Sequence, residues 1–322
     1  MDELNKIAVL YGGISSERNI SLKSGEAVYR SILDLGYKSN LIDFKELSSI
    51  NILKKYDFIF IALHGFEGEG GELQRKLDDL NILYSGSSSE SCFNTWNKAL
   101  TKEILRKKNI KTPNWKLVEN NYRLESLDEG SNSLPFEKQS DNESSSSLIN
   151  IFGKNESIFL KPITDGSSFD IYKVSSNKQF LESIKSSSDP NRTFMIEEAI
   201  EGREFTVTII DEKCYPPIEI ITKNQFYDYD AKYVSNETRL EKAQLNNEEM
   251  EKIMEISLSA FKALNCRAWG RVDLMQNKNG EFYIIEINTV PGMTNHSCVP
   301  RSGQFAGLSF NEIVKKIINA SL

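Results

Sequence analysis

The chain has 322 residues, of which 39% are hydrophobic and 10% aromatic. This length can bury a sizeable core and exceeds one average domain, so we expect two or three domains. The net charge of -7 arises from 39 basic and 46 acidic residues. The sequence lacks the basic stripe that binds a phosphate backbone, so we do not expect nucleic acid as a partner. No apolar run reaches the about 18 residues of a membrane span and no signal peptide fits before the first strand, so we expect a cytoplasmic protein with no membrane contact.

The cysteines stand far apart in the sequence and form no CxxC pair: Cys92, Cys214, Cys266 and Cys298. The chain has only 2 histidines that could complete a zinc site. A disulfide framework and a zinc site are therefore both unexpected, and ordinary reduced thiols are predicted.

The N-terminal part of the chain alternates between strands and helices. Strands are predicted over residues 6–11, 41–44 and 58–63, and helices over 21–35 and from about 72. This alternation favours an α/β domain with a parallel sheet covered by helices. Ligands of such sheets gather at the carboxyl ends of the strands. Gly13 and Glu17 follow the first strand and His64 follows the third, so these residues are expected at one edge.

The remainder of the chain predicts mixed α+β structure. A charged helix over 98–108 ends before Pro113, and residues 120–157 are rich in Ser, Asn, Glu and Asp, which indicates a mobile surface insertion. Further predicted elements are strands 158–161, 193–198 and 204–210, a helix 247–264, a hairpin of strands 270–275 and 281–287, and a closing helix 309–320. We predict three domains, 1–96, 97–195 and 196–322.

The predicted hairpin carries three oxygen donors, Asp273, Glu286 and Asn288. Their spacing puts them on one face, since strand side chains repeat every two residues. Carboxylate and amide oxygens suit a hard cation such as Mg²⁺ that also binds phosphate oxygens. From spacing alone, the ordinary polar face of a hairpin is the more common alternative.

The segment E-x-N-T-x-P-G-M-T from Glu286 to Thr294 resembles the D-alanine–D-alanine ligases. Further segments resemble the same family in order and spacing: YGGISSERNISL from Tyr11, HGFEGEGGELQ from His64, LKPITDGSS from Leu160, EGREFTV from Glu201 and FYDYDAKY from Phe226. The resemblance covers almost the whole chain except the serine-rich insertion. It implies an N-terminal parallel-sheet domain followed by a two-domain ATP-grasp clamp. The implied activity is ATP-dependent joining of two D-alanines for peptidoglycan precursor synthesis.

The resemblance also implies ATP as cofactor, with two Mg²⁺ or Mn²⁺ ions held by Asp273, Glu286 and Asn288 on the phosphates. The implied ATP-binding residues are Lys98, Lys161, Gly166, Ser168, Glu197 and Glu204. Taken singly, such lysines are usually solvated surface charges, such glutamates are unremarkable, and a GSS triplet is usually a turn.

The resemblance implies further roles at the substrate end. Glu17, aided by His64, would hold the ammonium of the first D-alanine, and Arg271 with the Gly292 N–H would bind the oxyanion. Lys232 and Ser297 would receive the carboxylate of the second D-alanine. A flap would be positioned by Tyr233, linked with Glu17 and Ser167. The implied mechanism forms an acyl phosphate that the second amine then attacks, in a site shut to water. A lone histidine is ordinarily a satisfied core or rim residue.

Several positions depart from the usual family pattern. Asn97 stands where aspartate is common, and Gly70 replaces an aspartate. Asp170 occupies a position that is usually glycine, so we expect its carboxylate near ATP, where repulsion could slow closure. Residues 240–244 replace an expected proline-alanine segment. These departures bear on rate and substrate preference more than on the reaction class.

Rival interpretations stay open. A relative could make D-alanyl-D-lactate or D-alanyl-D-serine, although Tyr233 speaks against the lactate form, or could join other amino acids. The chain could also be a nucleotide-binding regulator without catalysis. A dinucleotide oxidoreductase is disfavoured because the first turn lacks GxGxxG. A homodimer is expected from the family alone.

Overall fold

The computed structural model describes residues 4–118, 157–166, 169–223 and 237–322. Within these ranges the strands form three sheets. The first belongs to the N-terminal part, the second to the middle and the third to the C-terminal part of the chain.

The N-terminal sheet is parallel, with strands β1 (Lys6–Tyr11), β2 (Lys38–Asp43) and β3 (Phe58–Ile61) in the order β2-β1-β3. Strand β3 is buried along its whole length, as expected for a parallel sheet covered on both faces. Helix α1 (Arg18–Asp34) begins before the predicted start at 21. The helices that follow the sheet are α2 (Phe66–Glu69), α3 (Glu72–Asp79), α4 (Ser89–Trp96) and α5 (Lys98–Lys107).

The middle sheet is antiparallel and has the order β4-β7-β5-β6. Its strands are β4 (Trp115–Leu117), β5 (Ile158–Pro162), β6 (Tyr172–Val174) and β7 (Phe194–Glu198), and α6 (Asn177–Ser186) packs against it. Apart from residue 157, the serine-rich insertion lies outside the described residues.

The C-terminal sheet is antiparallel, in the order β11-β10-β8-β12-β13, with β9 paired to β8. Its strands are β8 (Gly202–Ile210), β9 (Lys213–Cys214), β10 (Ile218–Ile221), β11 (Arg239–Lys242), β12 (Trp269–Asn277) and β13 (Phe282–Asn288). Three helices accompany this sheet, α7 (Asn247–Ala263), α8 (Cys298–Phe305) and α9 (Phe310–Ala320).

One hydrophobic core joins the N-terminal sheet to the C-terminal part. Val28 and Ile32 of α1 share this core with Ile317 of α9. Phe60 of β3 packs against Trp269 at the start of β12, with ring centroids 6.1 Å apart. Burial of these large side chains fixes the edge of the first sheet against the β12–β13 hairpin. This contact positions the site described below.

The predicted fold class is confirmed, since a parallel α/β sheet precedes antiparallel sheets with helices. Helix α4 was not predicted because its sequence SESCFNTW has little apolar periodicity; it begins where the Ser88 side chain accepts the Ser91 N–H. All four cysteines are free, as predicted. In the described ranges, no helix is long and apolar enough to cross a bilayer. The domain boundaries after 96 and 195 stay a prediction.

Candidate active site

Two cavities lie between the sheets and meet at Glu286, which lines both. The small cavity, about 110 Å³, is lined by predicted site residues Glu17, His64, Lys98, Gly166, Arg271, Glu286, Asn288, Gly292 and Ser297. The large cavity, about 510 Å³, is lined by the predicted residues Lys161, Glu197, Glu204, Asp273 and Glu286. The fold therefore groups the substrate-end residues in one space and most of the nucleotide residues in the adjoining one.

One face of the β12–β13 hairpin lines both cavities. Its register places Asp273 opposite Glu286 and Arg271 opposite Asn288. Directly opposite residues in an antiparallel pair point to the same face. A register shift at Ile285 separates this block from the rest of the hairpin. Two carboxylates, one amide and one guanidinium consequently share one face.

Asp273 is held by three donors. Arg271 donates from Nε to Oδ1 at 2.8 Å and from a terminal nitrogen to Oδ2 at 2.7 Å. Thr206 of β8 donates its hydroxyl to Oδ1 at 2.6 Å. These bonds fix the carboxylate plane, and Asn288 Oδ1 is fixed similarly by the Val290 N–H at 3.1 Å. The sequence does not predict the contact of Thr206 with Asp273, because a single sequence does not specify the register between β8 and β12.

The donor set fits Mg²⁺ or Mn²⁺. The described residues contain no group of three or more His, Cys, Asp or Glu side chains suited to a metal. The hairpin offers two carboxylates, Asp273 and Glu286, with the amide of Asn288. Oxygen donors of this kind suit a hard cation that keeps positions open for phosphate oxygens.

A buried ion cluster closes the inner end of the large cavity. The carboxylate of Glu197 pairs with the ammonium groups of both Lys161 and Lys102, and Lys102 also donates to Thr112 Oγ1 at 2.7 Å. Burial opposes ionisation of Glu197, but the two ammonium groups outweigh it and lower its pKa. Burial lowers the pKa of Lys102 to about 8. Two cations against one carboxylate leave a local excess of positive charge beside Lys161, which suits an anionic group of a ligand placed there.

Lys102 was not predicted, although a signal was present. It stands four positions after Lys98 in α5, and residues at this spacing share one helix face. Both lysines are buried, which is exceptional for lysine without a partner. Lys98 donates its ammonium to the Asp165 backbone carbonyl at 2.5 Å.

His64 contacts the loop after β13 through Nδ1 and contacts Ser24 of α1 through Nε2. Nδ1 lies 3.0 Å from the Val290 carbonyl, and Nε2 lies 3.1 Å from Ser24 Oγ. A carbonyl only accepts, so Nδ1 carries the proton; Nε2 then accepts from the Ser24 hydroxyl. Ser24 Oγ in turn accepts the Met293 N–H at 3.1 Å. The substrate-binding role of His64 stays a prediction, and Ser24 is a further residue that the sequence did not reveal.

Glu17 shares the small cavity with a second carboxyl group, that of Glu69. Glu69 accepts the Gly65 N–H at 3.0 Å. Burial, followed by the negative charge of Glu17, raises the pKa of Glu69 well above its ordinary value. A Cβ at Gly166 would lie 2.6 Å from Glu17 Oε2, so a larger residue at this position would require the Glu17 carboxylate to move. Glu69 was not among the predicted site residues.

Gly292 and Ser297 meet on the floor of the small cavity. A Cβ at Gly292 would lie 2.8 Å from Ser297 Oγ. Ser297 Oγ accepts the Thr294 N–H at 3.0 Å, which holds the turn after β13. Glu204 of β8 stands opposite Met275 in the wall of the large cavity. The remaining predicted residues, Ser167, Ser168, Lys232 and Tyr233, lie outside the described residues.

Comparisons with known proteins give one consistent result. Residues 133–319 match the family model described as D-ala D-ala ligase C-terminus. The D-alanine–D-alanine ligase of Marinobacter nauticus is 35% identical over 321 residues, covering 99% of this chain and 92% of that protein. The ligase of the same name from Saccharophagus degradans is 36% identical, covering 99% and 95%.

Solved structures agree. The D-alanine–D-alanine ligase of Bacillus anthracis complexed with ATP has a TM-score of 0.80 at 30% identity, covering 98% of this chain and 97% of that one. A D-Ala:D-Ser ligase from Enterococcus faecalis has the same TM-score at 23% identity, which bears on the fold alone. With near-complete coverage by relatives at this identity, the chain belongs to the D-alanine–D-alanine ligase family.

Proposed function

We propose that this chain is an ATP-dependent ligase that joins two D-alanines into D-alanyl-D-alanine through an acyl phosphate. The observation that carries the proposal is the β12–β13 block, where Arg271, Asp273, Glu286 and Asn288 share one face between two adjoining cavities. Such a block can bind a nucleotide phosphate on one side and an amino-acid carboxylate on the other.

The large cavity is proposed to hold ATP. Lys161 contributes a positive charge from the inner end, and Glu204 offers oxygens to the ribose hydroxyls. Asp273, Glu286 and Asn288 would hold Mg²⁺, which neutralises charge on the phosphates when bound. Lys98, which lies in the small cavity near the junction, suits the terminal phosphate because its ammonium is compact and its stem flexible.

The small cavity is proposed to hold the first D-alanine. Glu17 provides the negative charge that the substrate ammonium requires. Arg271 lines the same cavity, in which the acyl carbon is proposed to lie. As the second amine attacks, negative charge develops on the acyl oxygen. Arg271 and the Gly292 N–H are the donors that could stabilise it.

The second D-alanine is proposed to bind beside Ser297. Lys232 is proposed to bind its carboxylate and Tyr233 to position a flap, and both residues lie outside the described ranges. Attack by the amine of the second D-alanine forms the amide bond and releases phosphate, and the amine loses a proton in this step. An acyl phosphate hydrolyses readily, so the reaction requires that water be excluded from the small cavity.

The product is proposed to enter peptidoglycan precursor synthesis, and the reaction is proposed to take place in the cytoplasm, where ATP is available. A homodimer and the three-domain division at residues 96 and 195 are proposed from the family. Synthesis of D-alanyl-D-serine, of D-alanyl-D-lactate or of a dipeptide of other amino acids is the second candidate. The similarity to the Enterococcus faecalis ligase supports it only through the fold.

The test is release of ADP and phosphate from purified protein with Mg²⁺-ATP and D-alanine, using L-alanine as control and mass spectrometry of the product. D-alanine-dependent turnover that yields the dipeptide would support the proposal. Preference for D-serine or D-lactate as second substrate would favour the second candidate. ATP binding without turnover on any amino acid would point to a nucleotide-binding regulator.

A further inference from the structure

Asp170 has a backbone conformation that glycine adopts more easily than other residues do. Its φ is +52°, in the left-handed region that glycine adopts freely and aspartate tolerates. The chain therefore keeps the backbone of a glycine while adding a carboxylate close to the phosphate end of the site. The question is how this carboxylate is accommodated.

Both oxygens of the Asp170 carboxylate accept hydrogen bonds. Oδ1 accepts the Tyr172 hydroxyl at 2.8 Å. Oδ2 accepts the backbone N–H and hydroxyl of Ser188 at 2.8 and 2.7 Å, and it pairs with Arg192. Only 9% of the side chain is exposed. The carboxylate thus points to this cluster and is not left as a free charge beside ATP.

The same guanidinium binds a second carboxylate. One terminal nitrogen of Arg192 pairs with Asp170, and the other donates to Asp165 Oδ2 at 2.7 Å. The guanidinium also stacks over Phe194, 5.4 Å from the ring centroid. One rigid, planar group therefore joins the residues that stand at the two ends of the segment 165–170.

Asp165 connects this arrangement to the site. Its backbone carbonyl accepts the Lys98 ammonium at 2.5 Å, and its Oδ1 accepts the Gly166 N–H at 3.0 Å. Asp165 and Gly166 both line the small cavity. A change in the charge or position of Asp165 would consequently alter the position of the Lys98 ammonium, which faces the proposed phosphate position.

We propose that Arg192 is a positioning residue for nucleotide binding, which neutralises Asp170 and holds it with Asp165 on one guanidinium. This rests on the proposed function of the large cavity as an ATP site. Two carboxylates and one guanidinium sum to one negative charge. Without Arg192 the sum is two negative charges beside a triphosphate, whereas loss of both Arg192 and Asp170 restores one.

The test uses the full chain and AMP-PNP with Mg²⁺, measured by isothermal titration calorimetry. Arg192→Ala is expected to weaken binding about 10-fold, because a buried carboxylate loses its partner. Asp170→Gly is expected to bind within about threefold of the unchanged protein, and Arg192→Ala combined with Asp170→Gly to return to that range. Arg192→Lys should be intermediate, since an ammonium cannot bridge both carboxylates as the planar fork does.

The matched control is Arg75→Ala, which breaks an exposed pair with Asp79 and should leave binding unchanged. Thermal unfolding of each variant identifies those that do not fold. Arg192→Ala binding within twofold of the unchanged protein, or a double variant as weak as Arg192→Ala, would overturn the inference. Failure of the unchanged protein to make a dipeptide, with nucleotide binding retained, would count against the proposed function and not against this role.

Discussion

The hydroxyl of Ser24 lies 3.1 Å from His64 Nε2 and accepts the Met293 N–H at 3.1 Å. Because His64 Nδ1 donates to the Val290 carbonyl, the pair holds both ends of the turn that contains Gly292. The oxyanion role proposed for the Gly292 N–H therefore depends on Ser24 of α1 and on His64, which follows β3, near the opposite end of the chain.

Replacement of Ser24 by alanine should lower kcat more than it raises KM. The Met293 N–H loses its acceptor and His64 loses its donor, so the turn carrying Gly292 shifts. Misplacement of a group by about 1 Å can reduce a rate by about 100-fold, and we expect a loss of about 10- to 100-fold. The measurement is steady-state ADP release with D-alanine.

Ser31 provides the control on the same helix. It is also buried, and its hydroxyl has no hydrogen-bond partner among the described residues. Ser31→Ala should leave kcat unchanged and should not lower the free energy of unfolding, because the buried hydroxyl that it removes has no partner among the described residues. Equal effects of the two substitutions on kcat would show that the Ser24 bonds do not position the turn.

His64 should make stability depend on pH. Burial lowers its pKa below the ordinary value of 6.5; Glu17 opposes this shift and Arg271 adds to it. Below about pH 6.5, His64 binds a proton in the unfolded chain but not in the folded chain. The free energy of unfolding is therefore higher above this pH and decreases as the pH falls.

The measurement is urea unfolding at about pH 7.5 and about pH 5.5, the window in which unfolded histidine titrates. His64→Gln should lose less of its free energy of unfolding between these values than the unchanged protein does. Glu69, whose pKa is raised, contributes with the opposite sign, but it is present in both proteins and cancels in the comparison. An equal loss would mean that His64 titrates alike in the folded and unfolded states.

Lys102 should matter for nucleotide binding more than for stability. Replacement by methionine leaves one ammonium, Lys161, against Glu197, so the net positive charge of the cluster falls to zero. We expect AMP-PNP to bind about 10-fold more weakly, a change of about 1.4 kcal/mol. The free energy of unfolding should change less, because an apolar side chain also removes the desolvation penalty of a buried ammonium.

Lys107, exposed on the same helix, is the control, and Lys107→Met should change neither quantity. A large loss of stability with unchanged AMP-PNP binding in Lys102→Met would assign Lys102 to the fold instead of the nucleotide site. Calorimetry and urea unfolding give the two quantities independently.

The sequence predicts most strands and helices of this chain because periodicity and turn residues are local signals. Strand β1 coincides with the predicted 6–11, and α7 ends one residue before the predicted 264. The sequence also predicts that Asp273, Glu286 and Asn288 lie on one face, since this follows from the alternation of side chains within a hairpin.

Ser24 and Thr206 could not be found in this way. Ser24 bonds to Met293, which is 269 positions away, and no local pattern indicates that contact. The Thr206 bond to Asp273 spans 67 positions and depends on the register between β8 and β12. Such residues are brought to the site by packing of whole elements, which a single sequence does not specify.

Thr206 of β8 contacts a carboxylate of the proposed metal site. Its hydroxyl donates to Asp273 Oδ1 at 2.6 Å and fixes a carboxylate that is proposed to bind Mg²⁺. Loss of a hydrogen bond that orients a ligand typically weakens metal binding by about 10-fold or more. Thr206→Val, which keeps the shape of the side chain, should raise the Mg²⁺ concentration needed for half-maximal AMP-PNP binding by about that factor.

Thr208 is the matched control two positions along β8. It lies opposite Arg271, is equally buried at 1% exposure, and its hydroxyl has no hydrogen-bond partner in the described ranges. Thr208→Val should therefore leave the Mg²⁺ requirement unchanged. Because both substitutions remove one buried hydroxyl from one strand, any general loss of packing affects them alike. A shift of similar size in both variants would mean that the Thr206 bond does not orient Asp273 for the metal.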